Sequence, residues 1–551
     1  MSDFLLSLKK QSLMIGFVLL GLVGYIFCFN AGLFFVHISM SIQTSLICIS
    51  SYFSLAFISV RKFNFENGNY KSSVYPILWS FLFILISLII SFLFYDYSYD
   101  GQTYHGEAII QLAKGWNPNV KYIQGDDIIT LVINHFAKAS WINGAFFYLL
   151  TGNFECAKAT NVILIFSNFF IALPFFSKWV KSNWAILISL LLALNPITLN
   201  MYLSNMLDCQ AANLIFIFFI LVFMRYLDEK AVPLIIIAVP IIYSVNLKFT
   251  WVGYYLVFIF FFLLFIIIIK QFKIKRKLVA GVCIFFTMGI LFFGYNTYVK
   301  NTIEFGHPFY PFKGKENIGK HTTVDALEYR SGNKIINFIK SNFASTTFSE
   351  AYVKPLHYKI PFSFSRYEIE RYAFAGVMIG GFGVWYSGIL VVSLLLLLWL
   401  TIKKIGGKKA LFVLYFITGV IVISVLINPL SYIARYIPQY YLIPILIFVF
   451  YLKHTAFNKK FALLFASLLV INSSLIMGYT AYNIVVTQKI RSQIKSLKKS
   501  QKPVLVNFGM QTAKRAIFKD NKINYVEVNS FKENLVPDTI FRSEVAYYIE
   551  K

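Results

Sequence analysis

The chain has 551 residues, of which 58% are hydrophobic and only 14% are charged. Its 51 basic and 24 acidic residues give a net charge of +27, but the basic residues stand in short clusters between apolar runs, which excludes a nucleic-acid-binding domain. The five cysteines show no metal-type spacing, which excludes a zinc site and a disulfide framework. The composition predicts an all-α polytopic membrane protein whose main partner is the lipid bilayer.

The apolar runs are long enough to cross a bilayer. Residues 251–269, for example, contain no charge over about 19 positions. Because basic clusters fall between alternate runs, the positive-inside rule predicts an inner amino terminus and an outer carboxyl terminus. About thirteen spans are predicted: 13–35, 42–60, 75–95, 160–177, 184–200, 210–225, 231–246, 250–269, 278–298, 381–402, 410–428, 437–452 and 461–485.

We predict three regions along the chain. Residues 1–74 form two amino-terminal transmembrane helices, and residues 75–485 form the main membrane domain. Two long outer loops of that domain, 96–159 and 299–380, carry scattered apolar and aromatic residues, which is typical of helices lying in the membrane interface. Residues 486–551 read as strand, short helix and strand, and predict a small outward α/β unit.

The segment 95–118 interrupts the hydrophobic sequence and places two carboxylates, Asp96 and Asp100, at the end of the third predicted span. A carboxylate in that position is costly unless it is solvated, paired or used in chemistry. Asp100 could instead cap the helix that follows it, and this alternative stays open. Glu107 is read as a first-turn acid that offsets the helix dipole.

Several outer segments resemble those of GT-C fold glycosyltransferases, in the order in which that family has them. The acidic run 100–104 leads into a helix ending at Gly115-Trp116, and a Lys-to-Leu-x-Gly segment follows from Lys138. The remaining segments are an Asn-Pro turn with a downstream Asp at 195–208, a Lys-centred turn at 247–250, a Gly-x-Pro-x-Tyr-Pro segment at 306–311 with His307 in place of Asn, and Arg435-Tyr436 before Pro438.

The resemblance covers roughly residues 75–485 and is closest to the lipid A aminoarabinose transferase and protein mannosyltransferase type. It implies transfer of a sugar from a polyprenyl-phosphate donor to an extracytoplasmic glycan or lipid acceptor in the inner membrane. This sequence departs from the pattern in two ways: two spans precede the one leading to the acidic loop, and the Glu-Lys-Pro-Pro run of the aminoarabinose transferases has no match.

A transferase of this kind needs a base for the acceptor and cations for the leaving phosphate. Asp100 is our candidate base, with Asp96 second, and the phosphate-binding candidates are Lys248, Arg435 and Lys138. Each cation could instead snorkel to the interface. Candidates for substrate binding are Tyr104, His105, Asp126, Asp127, Asp208 and His307. No cofactor is predicted, and a divalent metal has no support from ligand spacing.

Two other functions remain open at this stage. An O-antigen ligase or polymerase would use arginines of the loop 299–380, where Arg330, Arg366 and Arg371 lie. A polysaccharide flippase or transporter would carry charges along a path through the membrane and broken helices in two related halves. The candidate residues lie on one predicted face only and the sequence shows no internal repeat, so we rank the transferase first.

Overall fold

A computed structural model describes residues 2–64, 71–270, 272–314, 326–455, 458–533 and 535–549. Residues 315–325 of the second predicted outer loop, and the last two residues of the predicted tail, lie outside this description. The described chain is mostly helical, with a small sheet at its carboxyl end. This confirms the prediction of an all-α membrane-type fold.

Three long helices open the chain: α1 (Ser2–Phe35), α2 (Ile42–Asn64) and α3 (Lys71–Leu93). The segment predicted to be the first outer loop, residues 96–159, then contains four short helices, α4 (Tyr99–Gln102), α5 (Tyr104–Ala113), α6 (Ile128–His135) and α7 (Ala139–Thr151). Helix α7 is buried in protein from Ala139 to Phe147. It therefore differs from the interfacial helix predicted for this loop, because a helix that is apolar on all sides packs inside the protein.

The middle of the chain forms α8 (Ala159–Phe176), α9 (Ser182–Ala193), α10 (Pro196–Met201), α11 (Asp208–Leu227), α12 (Leu234–Val245), α13 (Thr250–Ile268), α14 (Phe272–Met288) and α15 (Asn301–Phe305). The predicted span 184–200 is divided between α9 and α10. The division falls at Asn195, whose side chain accepts a hydrogen bond from the Thr198 N–H group while Pro196 occupies the first helical position, an arrangement that starts a new helix.

The second outer loop contains α16 (Lys334–Ser341) and α17 (Arg366–Arg371). Helix α16 buries Asn337, Phe338 and Ser341 and exposes three isoleucines, Ile335, Ile336 and Ile339. This amphipathic pattern suits the predicted interfacial position. The chain then forms α18 (Tyr386–Ile402), α19 (Gly407–Leu426), α20 (Leu442–His454), α21 (Lys459–Ile476) and α22 (Gly478–Lys498).

Within the described residues, nine helices are long and apolar enough to cross a membrane. They comprise α1, α2, α3, α8, α11, α13, α14, α19 and the pair α21 and α22, with α8 and α14 counted together with the turns adjoining them. The other predicted spans coincide with shorter helices: α9 and α12 have 12 residues each, α20 has 13 and α18 has 17. Membrane helices are therefore present, and the number thirteen stays a prediction.

The core forms where α1 crosses α8. A side chain at Gly16 would place its Cβ 2.6 Å from Ile171, so the absence of a side chain permits close packing of the two helices. Hydrogen bonds reinforce the contact, because the Ser12 and Ser167 hydroxyls donate to the carbonyl oxygens of Phe170 and Gly16, each at 3.0 Å. Asn143 of α7 also donates to Val23 O at 3.0 Å, which ties the first outer loop to α1.

The carboxyl-terminal unit, residues 504–548, is a four-stranded sheet with one helix. Its elements are β1 (Val504–Asn507), α23 (Lys514–Asp520), β2 (Tyr525–Glu527), β3 (Asp538–Thr539) and β4 (Ala546–Tyr548). The strand order is β2-β1-β4-β3, with β1 and β2 parallel and the other pairs antiparallel. The predicted strand, helix and strand are confirmed. Helix α22 continues beyond residue 485, to Lys498, before this unit begins.

The carboxyl-terminal unit contacts the first outer loop directly, since Lys514 Nζ donates to Asp96 O at 3.2 Å. The two segments therefore share one side of the membrane, and an even number of crossings must separate them, as the predicted spans do.

We expect cysteine labelling to show that the first predicted outer loop and the carboxyl-terminal unit lie on the same side of the membrane. Asp126 and Lys532 are exposed, in the first outer loop and the carboxyl-terminal unit, while Lys408 is exposed between α18 and α19. In intact cells, a membrane-impermeant maleimide should label Asp126→Cys and Lys532→Cys, and should label Lys408→Cys only after permeabilisation, because basic loops stay inside. The unsubstituted chain gives the background from the native cysteines. Labelling of Asp126→Cys and Lys532→Cys from opposite sides would contradict the fold.

Candidate functional site

The candidate site lies where the first outer loop meets three turns between membrane helices. Asp100 sits inside α4, while Ser98 and Thr103 precede α4 and α5 at the capping positions. Asp100 is therefore not a helix cap, which removes that alternative. Its side chain is 31% exposed, so it can reach a substrate.

Asp100 joins a cluster of four charged side chains. Arg435 Nη1 lies 3.8 Å from Asp100 Oδ2 and 4.0 Å from Asp208 Oδ2. Lys248 forms an ion pair with Asp208. We call Asp100, Asp208, Lys248 and Arg435 the charged cluster; its formal charge is zero. The sequence places these residues far apart, and the fold brings them together.

Local sequence explains how each member is positioned. Asp208 is in the first turn of α11, where a carboxylate offsets the positive end of the helix dipole. Lys248 lies in the short turn between α12 and α13, and Arg435 lies in the 3-10 turn Ala434–Tyr436. The ring of Tyr436 serves both cations: Lys248 Nζ is 4.2 Å and Arg435 Cζ 5.4 Å from its centroid, within the range of cation–π attraction.

The guanidinium of Arg435 is not saturated by these contacts. Its side chain is only 13% exposed, and its Nε atom has no hydrogen-bond partner in the part of the chain that the structure describes. Its distances to both carboxylates exceed ordinary hydrogen-bond lengths. Because a buried donor without a partner is costly, Arg435 retains capacity for a further anion.

The protonation of Asp100 is set by its surroundings. Burial raises the pKa of the Asp100 carboxyl, and the negative charges of Asp208 and Asp96 add to this rise. Arg435 and Lys248 act in the opposite direction without cancelling it. A carboxylate with a raised pKa is a stronger base than an ordinary aspartate.

Tyr104 and His105 lie beside the charged cluster at the start of α5. Burial and the charge of Asp100 raise the pKa of Tyr104, so its phenol stays protonated. Burial lowers the pKa of His105, and Lys248 and Arg435 lower it further. The Trp141 indole N–H donates to His105 Nδ1 at 2.7 Å. Since this bond leaves the proton of the neutral imidazole on Nε2, His105 can act as a hydrogen-bond donor.

Asp96 lies beneath the charged cluster and is 2% exposed. Its Oδ1 atom accepts hydrogen bonds from the Ser98 N–H and hydroxyl at 2.8 and 2.7 Å, and its Oδ2 atom accepts from the Asn205 N–H at 2.8 Å. Both oxygens are occupied, so Asp96 joins the acidic loop, by which we mean residues 96–107, to the turn before α11. Burial raises the pKa of this carboxyl as well.

Lys138 is buried and lies apart from the charged cluster. Its Nζ atom donates to the carbonyl oxygens of Asn134 and Phe136 at 3.0 and 2.7 Å, and it lies 5.6 Å from the centroid of Trp116. Burial lowers the pKa of Lys138, and Lys300 lowers it further. No ion pair of Lys138 occurs among the described residues. Among the described residues Lys138 therefore forms no ion pair with Asp100 or Asp208, the carboxylates that Arg435 and Lys248 contact.

The other predicted substrate residues are also outside the charged cluster. Asp126 and Asp127 are exposed, and Asp127 caps α6 by accepting from the Thr130 N–H and hydroxyl at 2.9 and 2.7 Å. His307 Nδ1 accepts from the Phe309 N–H at 3.0 Å. The ring of Phe309 packs on Phe249, next to Lys248, at 5.5 Å between centroids. His307 in turn packs on Phe309 at 5.5 Å between ring centroids, so two rings separate it from Lys248.

Sequence reasoning missed a second group of charges below Asp96. Glu155 and Lys158 form an ion pair, and the Asp96 N–H donates to Glu155 Oε2 at 3.0 Å. Lys514 completes this group from the carboxyl-terminal unit. The i, i+3 spacing of Glu155 and Lys158 is a signal that could have identified the pair, whereas no sequence signal links Lys514 to Asp96.

The described ranges contain no group of three or more His, Cys, Asp or Glu side chains arranged to hold a metal ion.

We expect Gly101 to be essential to the shape of the acidic loop. A Cβ at Gly101 would lie 2.1 Å from Asp96 Oδ2 and 2.3 Å from the Ser98 hydroxyl, so Gly101→Ala should push Asp96 from its partners and lower stability by about 1–3 kcal/mol. Thermal unfolding in detergent measures the loss. The control is Gly419→Ala in α19, where a Cβ meets nothing within 4 Å. Equal midpoints for the two variants would refute the requirement.

Comparison with known proteins does not alter this picture. No protein-family model matches the chain, and no curated protein matches it. The resemblance of its outer segments to GT-C glycosyltransferases therefore rests on the order of those segments. What the geometry adds to that order is the meeting of Asp100, Asp208, Lys248 and Arg435.

Proposed function

We propose that the protein is an integral membrane glycosyltransferase of the GT-C fold, in the cytoplasmic membrane, with its active site on the extracytoplasmic side. It transfers a sugar from a polyprenyl-phosphate donor to an acceptor such as a cell-envelope glycolipid or polysaccharide. The observation that carries the proposal is the charged cluster. In it, the partly exposed Asp100 carboxylate, whose pKa is raised, lies beside Lys248 and Arg435, and the Arg435 Nε atom has no hydrogen-bond partner among the described residues.

The two kinds of charge have different tasks in such a transfer. Asp100 accepts the proton of the acceptor hydroxyl as its oxygen forms a bond to the anomeric carbon. The bond between that carbon and the phosphate oxygen breaks, and its electron pair leaves with the polyprenyl phosphate. Arg435 and Lys248 stabilise the negative charge that develops on this phosphate. Atoms and charge balance without a further reactant.

Asp96 and Lys138 are assigned neither the base nor the phosphate-binding role in this transfer. Because both oxygens of Asp96 already accept hydrogen bonds in a buried position, Asp100 is the better base. Lys138 is held by two backbone carbonyl oxygens away from Arg435, so we assign the phosphate to Lys248 and Arg435 alone.

The arginines that a ligase or polymerase would use are occupied within their own loop. Arg330 donates to Tyr352 O at 2.9 Å, and Arg371 pairs with Glu350 at 2.9 Å. Arg366 is 93% exposed and pairs with Glu370 at 2.9 Å. Since each of these arginines already has a carbonyl or carboxylate partner in its own loop, we rank the transferase above the ligase.

Asp100→Asn should separate catalysis from binding. The two side chains are nearly isosteric, so binding of polyprenyl phosphate should stay close to normal, while turnover should fall on the order of a hundredfold or more because the base is lost. Transfer from a panel of polyprenyl-phosphate sugars gives the turnover. The control is Asp126→Asn, an exposed carboxylate outside the charged cluster. An Asp100→Asn protein that transfers sugar at the wild-type rate would refute the proposed base.

Arg435→Gln should give the opposite phenotype and weaken binding of polyprenyl phosphate itself. Loss of charge-assisted hydrogen bonds to phosphate should raise its Kd by about tenfold to a hundredfold. Arg366→Gln removes the same charge from an exposed arginine that pairs only within its loop, and is the matched control. Equal affinities of these two variants for polyprenyl phosphate would place the phosphate elsewhere.

The pH profile of turnover should report on Asp100. A base works only when it is deprotonated, so turnover should fall as pH is lowered through the raised pKa of Asp100, at a pH above that of an ordinary aspartate. Since Arg435 lowers this pKa, Arg435→Gln should move the acid limb to still higher pH. The measurement is kcat/KM against pH for the two proteins; an acid limb that stays fixed or moves to lower pH in Arg435→Gln would contradict the assignment.

A further inference from the structure

We propose that the carboxyl-terminal unit holds the acidic loop in its working shape, and that Lys514 is the positioning residue through which it does so. The link to turnover rests on the proposed function, whereas the effect on the acidic loop does not. In sequence, Lys514 is far from Lys248 and Arg435, the two proposed phosphate-binding residues. It contacts the acidic loop at the backbone of Asp96.

The segment 512–520 is joined to the first outer loop along its length. The Ala513 N–H donates to Gln102 O at 3.3 Å, and the Thr512 hydroxyl donates to Glu107 Oε2 at 2.6 Å. At the other end, Asp520 accepts from the Phe154 N–H at 2.7 Å and from the Tyr148 hydroxyl at 3.1 Å. These contacts involve backbone as well as side chains, so the two surfaces are fixed in register.

Steric fit supports the same conclusion. A Cβ added at Gly106 would lie 2.4 Å from Ala513 Cβ and 2.7 Å from Gly101 O. The α5 backbone therefore approaches the carboxyl-terminal unit more closely than any residue with a side chain would allow. A unit docked at this distance is part of the wall of the acidic loop.

Charge explains why Lys514 is the decisive contact. Asp96, Glu155, Lys158 and Lys514 are between 1% and 4% exposed. Two carboxylates and two ammonium groups give this buried group a formal charge of zero, and one of the two positive charges comes from the carboxyl-terminal unit. Lys514 forms no ion pair among the described residues; its ammonium is held by the Asp96 carbonyl oxygen, and the carboxylates of Glu155 and Asp96 favour its charged form. Removing this buried positive charge leaves the negative charges of the group in excess, which is strongly unfavourable.

A short series of contacts connects Lys514 to Asp100. Lys514 Nζ donates to the carbonyl oxygen of Asp96 at 3.2 Å, while the Asp96 carboxylate holds Ser98 and contacts the Gly101 position. Asp100 lies between Ser98 and Gly101. If the Asp96 backbone shifts, the Asp100 carboxylate must shift relative to Arg435.

The experiment compares Lys514→Met with Arg515→Met in the full-length protein. Arg515 is adjacent, loses the same charge and pairs at the surface with Glu527. Hydrogen exchange of the peptides spanning residues 96–107, followed by mass spectrometry, reads the loop without any substrate. Lys514→Met should speed exchange of these peptides by about tenfold or more, because their local opening no longer disrupts a balanced charge group. Arg515→Met should leave exchange unchanged.

Equal exchange in Lys514→Met and Arg515→Met would overturn the proposal. If Lys514→Met does not accumulate as a folded protein, the double variant Glu155→Gln/Lys514→Met removes one charge of each sign and should restore accumulation. Failure of the double variant to accumulate would equally overturn the role of charge balance.

A second readout separates this proposal from the proposed function. Lys514→Met should lower kcat with little change in the Kd for polyprenyl phosphate, and Lys514→Arg should recover most of kcat. A unit without influence on Asp100 would leave kcat at the wild-type value even with faster loop exchange, which would overturn the link between the loop and turnover. The proposed function fails on a different result, wild-type turnover of Asp100→Asn.

Discussion

The site depends on one constraint: charged side chains at the ends of membrane helices must find partners of opposite charge. Asp208 and Lys248 would each be costly alone at the end of a span, and they meet because α11 and α13 begin at the same end of the helix bundle. Arg435 then bridges Asp208 to Asp100. Three turns and the first predicted outer loop are thereby gathered around a single neutral group, of which Asp100 is the most exposed member.

Asp96 and Asp100, the two carboxylates of the acidic loop, differ in how fully their oxygens are hydrogen-bonded. Around Asp96, both carboxylate oxygens accept hydrogen bonds and the neighbouring charges are balanced within the protein. Around Asp100, the contacts to Arg435 are long, Arg435 Nε has no partner among the described residues, and the carboxylate is partly exposed. A buried carboxylate that is hydrogen-bonded at both oxygens is held in place, whereas a partly exposed one beside an unpaired donor has capacity for a further partner.

The sequence predicted what depends on local pattern. Apolar runs predicted the long helices, and Asp100, Lys248 and Arg435 stood out because each is polar at the end of such a run. It failed where partners are distant or helices short. Lys514 contacts a residue 418 positions away, and no local pattern distinguishes it from the neighbouring lysines. The span 184–200 appears continuous in hydropathy, yet Asn195 and Pro196 start a new helix within it. Helix α7 is predicted from sequence to lie in the membrane interface, because its aromatic residues do not reveal that other parts of the protein cover them.

Because the charged cluster is neutral, the two tasks that we propose for it, proton acceptance by Asp100 and phosphate binding by Arg435, are coupled. While Asp100 is ionised, it shares Arg435 with Asp208, and this attraction reduces what the guanidinium can offer to a phosphate. In the proposed transfer, Asp100 takes the proton of the acceptor, its negative charge disappears and the cluster becomes net positive by one. The released attraction is then available to the phosphate at the stage when negative charge develops on it, which is the condition for stabilising a transition state more than a ground state. In this proposal the residue that removes the proton also regulates the cation beside it, and the burial of most of Arg435 keeps this exchange of charge from being screened by water.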